Sequence, residues 1–179
     1  MNIKIITDST CDLPQELIAA YDIAIAPLTV IKADEAFKDG VTITPEDIFA
    51  HVAAGGALCS TSAASIGDYE DLFGRYARDY DGIVHISLGS GFSASYQNAT
   101  LAAEEFDNVR VVDSQNLTVG QGFVALKACE LAKTASSLDQ LAEELTGEPE
   151  PIETTDRVVA IVEYRDGTVV DVIRQIKME

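Results

Sequence analysis

The feature that most restricts the fold is a repeated order: a short apolar run, a turn rich in hydroxyls and acids, then a helix. Residues 4–7 form such a run and end in Thr7-Asp8-Ser9-Thr10, before a helix at 14–21 with Pro14 near its first turn. Residues 83–88 end in Ser87-Leu88-Gly89-Ser90-Gly91-Phe92-Ser93, before a helix at 94–106. Residues 109–112 end in Asp113-Ser114-Gln115, before a helix at 119–135. Strands that alternate with helices in this way predict an α/β domain, a parallel sheet with helices on both faces.

The remaining punctuation fits that frame. Residues 23–31 are β-rich and bend at Pro27. Thr44-Pro45-Glu46-Asp47 starts a helix, with a hydroxyl at the N-cap and proline at the first helical position, and Gly55-Gly56 stops it. Ser65-Ile66-Gly67-Asp68 reads as a capping box, and Tyr69, Leu72, Phe73 and Tyr76 then recur at helical spacing. A last amphipathic helix covers 138–145. The stretch Gly147-Glu148-Pro149-Glu150-Pro151 breaks the pattern. Beyond it, two β-rich runs at 157–164 and 168–176 are joined by Arg165-Asp166-Gly167, and Asp-Gly is a strong hairpin signal. The expected organisation is an α/β domain over 1–149 and a C-terminal β-hairpin segment over 150–179.

Three hydroxyl-rich turns therefore fall at the carboxyl ends of strands, and a fourth cluster, Ser60-Thr61-Ser62-Ala63-Ala64-Ser65, precedes a helix. Open parallel sheets bind ligands outside the carboxyl ends of their strands. Hydroxyls and the free N–H groups of helix N-termini suit an anionic oxygen there. Each turn alone is explained by helix capping, and their coincidence at one edge points only to a small anionic or polar ligand.

Charge and missing motifs narrow the chemistry. The net charge of −18, from 30 acids against 12 bases, repels nucleic acid and anionic lipid surfaces. The three cysteines, Cys11, Cys59 and Cys129, are too few and too scattered for a disulfide framework or a zinc site, and read as reduced buried thiols. No apolar run reaches membrane-spanning length and the start reads as a strand, so a cytoplasmic protein is expected. No Gly-x-Gly-x-x-Gly or Gly-x-x-x-x-Gly-Lys turn is present, which argues against nucleotide binding by those routes. Gly91-Phe92-Ser93-Ala94-Ser95 falls short of a hydrolase elbow, and both histidines, His51 and His85, precede it; His85 reads as a hydrogen-bonded core residue. Asp8 and Asp113 could act as an acid–base pair or as metal ligands, but a strand-end Asp more often orders its own turn. No catalytic residue, metal or cofactor is assigned.

Read in order, these turns resemble the DegV family. The resemblance is carried by Thr7-Asp8-Ser9-Thr10, Pro27-Leu28, Asp39, Thr61-Ser62-Ala63-Ala64-Ser65, Gly91-Phe92-Ser93-Ala94-Ser95-Tyr96-Gln97-Asn98-Ala99, Val112-Asp113-Ser114 and Thr118-Val119-Gly120. It covers residues 1–146. It implies a protein that binds a long-chain fatty acid between two α/β domains without catalysing a reaction. It places the acid's carboxylate on Thr61, Ser62 and Ser93, with the backbone N–H of Ala94 as a further donor; Asp8, Ser9, Ser65, Asp113 and Ser114 support the turns. Some members hand the lipid to a separate fatty acid kinase. Neither motif contains Lys or Arg, so neutral donors would hold the head group, and the acyl chain would supply most of the affinity, at about 0.8 kcal/mol per buried methylene. The family's Ser-Gly-Thr turn is Ser93-Ala94-Ser95 here, and a positive φ at its centre would suit Ala94 poorly.

The resemblance also implies a second α/β domain, of which residues 150–179 look like a remnant, a hairpin matching its closing strands. An apolar hairpin over an open groove predicts a homodimer. A competing reading is an interaction or dimerisation module that has lost lipid binding with that domain. A third is an enzyme on a small hydroxy- or phospho-substrate using Asp8 and Asp113.

Overall fold

The computed structural model describes residues 1–146 and two short strands further on, at 162–165 and 168–172. Residues Met1–Thr146 form one compact unit. Its centre is a four-stranded parallel sheet in which β1 (Ile3–Asp8) lies between β2 (Ala24–Ala26) and β6 (Gly82–Ser87), and β7 (Val109–Asp113) follows β6. Side chains alternate across the strands, as a period of two requires. Ile6, Ile83 and Val109 face a core closed by α3 (Ile66–Tyr76) and α4 (Ser95–Ala103), with Tyr69, Phe73, Ala99 and Ala102 buried in it. Ile5, Val84, Ile86 and Val112 face a second core, closed by α5 (Val119–Ala132) and α6 (Leu138–Thr146) through Ala125, Ala128 and Leu141. Helices thus cover both faces, as the alternation predicts.

The sheet is not the whole of the β structure. Residues 23–31, expected as one bent run, divide at Pro27, which has no N–H to give a ladder. Upstream lies β2. Downstream, β3 (Thr29–Lys32) pairs antiparallel with β4 (Glu35–Lys38) and with β5 (Ser60–Ser62) in a separate three-stranded sheet. The purely parallel expectation is therefore corrected to a fold with both parallel and antiparallel pairing. Strand β4 gives no clear signal because its hairpin turn, Ala33-Asp34 with φ of 49° and 68°, uses a left-handed pair in place of the usual Asn-Gly. Strand β5 falls in the Ser60–Ser65 cluster, where no strand was expected. The helix α1 (Gln15–Ala20) and the helix α2 (Pro45–Ala53) complete the unit. The capping boxes on α2 and α3 are both formed, Thr44 with Asp47 and Ser65 with Asp68. Cys11 and Cys129 are buried and Cys59 is half-buried, all three as free thiols.

A separate unit holds β8 (Val162–Arg165) and β9 (Thr168–Val172), paired antiparallel with Arg165 opposite Thr168. The expected turn at Asp166-Gly167, the rest of the two β-rich runs and the expected boundary at 149–150 lie outside the described residues. Among the described residues no helix is long and apolar enough to cross a membrane.

Candidate functional site

The order β2-β1-β6-β7 makes the chain leave β1 toward one side and return on the other, so its direction reverses between β1 and β6. That switch point is where open α/β sheets form their ligand crevice. Asp8 ends β1 there, fully buried. One carboxylate oxygen accepts the Leu88 N–H at 2.8 Å and the Ser87 hydroxyl at 3.0 Å; the other accepts the Tyr69 hydroxyl at 2.7 Å. Asp8 therefore does not order its own turn, as its strand-end position suggested. It clamps the end of β6 and the first turns of α3, because β6 lies beside β1 and brings its last N–H groups to the same edge. Burial alone would push the Asp8 carboxyl up, but His85, the Leu88 N–H and the Tyr69 hydroxyl outweigh it and hold it below the usual carboxylate range. The Tyr69 hydroxyl moves up from its ordinary value, through burial and the Asp8 charge, and stays protonated.

His85 is buried as expected, yet not hydrogen-bonded. Its Nε2 lies 3.3 Å from Asp8 but is poorly aligned, and Nδ1 has no partner among the described residues. Aromatic packing fixes the ring instead: Tyr69 and Phe73 meet it edge-on at 5.1 and 5.7 Å.

The turns around this centre are tied to one another. Asp113 accepts the N–H of Gln115 at 2.9 Å, ordering its own turn, and that of Ser90 at 3.1 Å, holding the turn after β6. Burial pushes the Asp113 carboxyl up, but Ser90 and the Gln115 N–H bring it below the usual range. Gly89 donates to the Asn116 carbonyl at 2.8 Å, and a Cβ on Gly89 would stand 3.0 Å from the Gln115 backbone, so a side chain there would press the two turns apart. Ser114 closes its turn on Asn116, and Ser9 accepts the Leu28 N–H at 3.2 Å, fastening the crossing at Pro27 to β1. Beneath them the buried Gln121 donates to Thr7 at 3.0 Å and accepts from Thr10 at 2.8 Å.

Of the residues expected to hold a head group, Ser93 is half-buried, with its oxygen 3.0 Å from the Ser95 hydroxyl and accepting the Ser95 N–H at 3.1 Å. Ala94 has φ −75° and ψ 0°, so alanine is unstrained where the family carries glycine. Thr61 and Ser62 are exposed on β5. Ser62 is opposite Thr29, and Thr61 is opposite the buried Val30. Neighbours on a strand point to opposite faces, so the two hydroxyls do not converge on one point. Asn98 of α4 donates to the Ala64 carbonyl at 2.8 Å, which ties the segment after Ser62 to the helix that follows Ser93. Helices α4 and α5 both begin at this edge with no acid in the first turn and no side-chain cap, unlike α2 and α3, leaving their positive ends open to an anion or dipole.

The sequence does not mark Tyr69 or Gln121 as parts of this edge, and Ser87 and Ser95 stand in its motifs without an assigned role. Lys38 also escapes notice: it is opposite Thr29 on β4, 3.3 Å from its hydroxyl and 2.9 Å from Asp68, in the same row as Ser62. Among the described residues no group of three or more His, Cys, Asp or Glu could hold a metal ion.

The family model described as "uncharacterised protein, DegV family" matches residues 2–155. The chain belongs to the DegV family. Protein DegV of Bacillus subtilis is 34% identical over 148 residues, 81% of this chain and 53% of that protein. A DegV domain-containing protein of Clostridium perfringens is 34% identical over 80% of this chain and 52% of its own length. Among solved structures, a fatty-acid-binding DegV family protein from Thermus thermophilus superposes with TM-score 0.73 at 35% identity, covering 81% of this chain and 52% of that one. The fatty acid binding protein DegV from Bacillus subtilis gives 0.75 at 34%, over 81% and 52%. A stearic-acid-binding protein from Eubacterium ventriosum gives 0.72 at 28%, over 90% and 56%. This DegV-family chain thus spans about half the length of the relatives it matches.

Proposed function

We propose that this chain binds a long-chain fatty acid at the carboxyl edge of its parallel sheet without catalysing a reaction. The observation that carries the reading is the meeting of the turns that begin at Thr7, Ser87 and Asp113 around a buried Asp8, beside two helix N-termini free of acids. The head group is assigned to Ser93, the Ala94 N–H and one of the β5 hydroxyls, Thr61 or Ser62. Exposed Phe92, Val119 and Phe123 rise from the same edge, and Val119 and Phe123 share a helix face one turn apart, giving an acyl chain an apolar surface. Relatives similar over the same residues bind fatty acids, which supports the reading. Presentation of the acid to a separate kinase, a C-terminal hairpin derived from a second domain, and a homodimer that covers the groove belong to the same proposal.

An interaction module without lipid is the second reading, and Phe92 and Phe123, about two-thirds exposed at 64% and 61%, suit a protein contact as well as an acyl chain. Titration of the full chain with isotopically labelled palmitate separates the two. Saturable binding near one per chain is expected; its absence, with the chain folded, would favour the interaction module.

A further inference from the structure

We infer that Arg110 is a guard on the free edge of the parallel sheet: folded back along β7 and tied to Asp139, it keeps β7 from pairing with β7 of a second copy. Strand β7 ends the sheet, with β6 on one side and, among the described residues, no strand on the other. The Ile83 N–H donates to the Asn108 carbonyl at 2.8 Å, and the Ser114 N–H to the Ser87 carbonyl at 3.1 Å. Backbone groups alternate in direction along a strand, so those of Arg110 and Val112 also turn toward β6. The N–H and C=O groups of Val109, Val111 and Asp113 therefore point to the open side. A row of this kind is a ready template for a strand of another chain. The space beside it leaves room for one: on the α4 side an open groove of about 450 Å³ runs past Tyr96, Thr100 and Ala103 to Val109 and Val111.

Two-fold, antiparallel pairing of β7 suits this row. Val111 falls opposite itself, and Val109 falls opposite Asp113 of the second copy. Such pairs exchange N–H···O bonds in both directions, so the pairing needs the Val109 carbonyl of each copy. Arg110 already holds that carbonyl. Its side chain leaves β7 on the face of Val112, which packs toward α5 and α6. Nη1 then returns to the edge and donates to the Val109 carbonyl at 2.8 Å and to the Asp107 carbonyl at 3.0 Å. Nε donates to Asp139, in the first turn of α6, at 2.6 Å. The planar fork thus fixes the guanidinium where an incoming strand would lie, a geometry that the flexible stem of a lysine does not hold. Charged side chains on edge strands protect against edge-to-edge association in general. Here the guanidinium also occupies the backbone acceptor itself. A dimer of this chain is thereby directed away from its parallel sheet.

The test is disulfide capture across the two-fold axis. The full chain carries Val111→Cys in a Cys59→Ser background, which removes the half-buried native thiol and leaves only the buried Cys11 and Cys129. Opposite residues of a hydrogen-bonded antiparallel pair stand about 5.5 Å apart at Cα, within disulfide reach. Oxidation is followed on non-reducing gels at high salt, which screens the repulsion between copies of net charge −18. With Arg110 in place the introduced thiol should stay uncoupled. Arg110→Ala should speed its coupling roughly tenfold, the effect of freeing one backbone acceptor on each copy. Asp139→Asn unties the guanidinium without touching β7 and should act in the same direction; its result decides should Arg110→Ala not fold. Fast coupling with Arg110 in place, or no gain in the folded variants, would overturn the inference.

Discussion

Asp8→Asn tests the buried centre of the edge directly. The substitution keeps shape and removes charge at a side chain with no exposure that accepts from Leu88, Ser87 and Tyr69. Three hydrogen bonds to a charged acceptor are worth about 1.5–3 kcal/mol each, and neutral ones about 0.5–1.5 kcal/mol. An Asn oxygen facing Leu88 and Ser87 retains two of the three as neutral bonds and turns its amide toward Tyr69 and His85. The expected loss is about 3 kcal/mol after the relief of desolvation, within a typical total of about 5–15 kcal/mol, so the variant still folds. In a chain of this size that shifts the melting temperature by roughly 6–12 °C. The pH dependence has a defined sign. Asp8 is held below its unfolded value of about 3.9, so its contribution is complete above that pH and disappears as pH falls through the lower folded value. Calorimetric melts should show a constant gap between the two proteins from pH 7 to 5 that closes below about pH 4. A gap that is absent, or that persists unchanged in acid, would show that the charge on Asp8 does not carry the stability.

Three further outcomes are expected. Ser93→Ala should weaken palmitate binding by about 1–3 kcal/mol, the cost of one hydrogen bond at a polar ligand, with a change in melting temperature but none in affinity pointing to a cap alone. Ser65→Ala removes the side-chain half of the α3 capping box and keeps the Ser65 N–H on Asp68, and should cost about 1 kcal/mol of stability by thermal melts, with ligand affinity unchanged, since the Ser65 side chain bonds only Asp68. Sedimentation at micromolar concentration should show a dimer for the full chain and a monomer after removal of residues 150–179, and a full-length monomer would sink the proposed homodimer.

Local signals were legible; distant pairings were not. The Thr44 N-cap, the Ser65 capping box, the bend at Pro27 and the strands and helices of the parallel sheet follow from residues within a few positions of one another, where propensity and side-chain-to-backbone bonds decide the structure. Asp113 is legible for the same reason, since its first partner is two residues away. Asp8 is misread because its partners lie 61, 79 and 80 residues further along, and nothing local tells which strand will stand beside β1. Gln121 closes on Thr7 across 114 residues and reads in sequence as an ordinary helix residue. The hydroxyls of Thr61 and Ser62 are a different case: their pairing with β3 turns them to opposite faces of a strand, and that pairing depends on a hairpin whose Ala33-Asp34 turn carries no familiar signature.

That distinction bears on how a chain of net charge −18 would present the proposed site for an acid. Positive charge at the edge is nearly absent: Lys38 is held by Asp68, and the two hydroxyl turns contain neither Lys nor Arg. The hydroxyls there serve different masters. Ser9, Ser65 and Ser114 accept or donate within the fold, so their oxygens are already committed, whereas Ser93 has one neighbour, Ser95, on its inner side and the open edge on the other. The residue free to meet a ligand is therefore Ser93, whose inner partner Ser95 is itself fully buried. A site built this way disfavours doubly charged head groups such as phosphates, because each added charge meets Asp8 without a counter-ion.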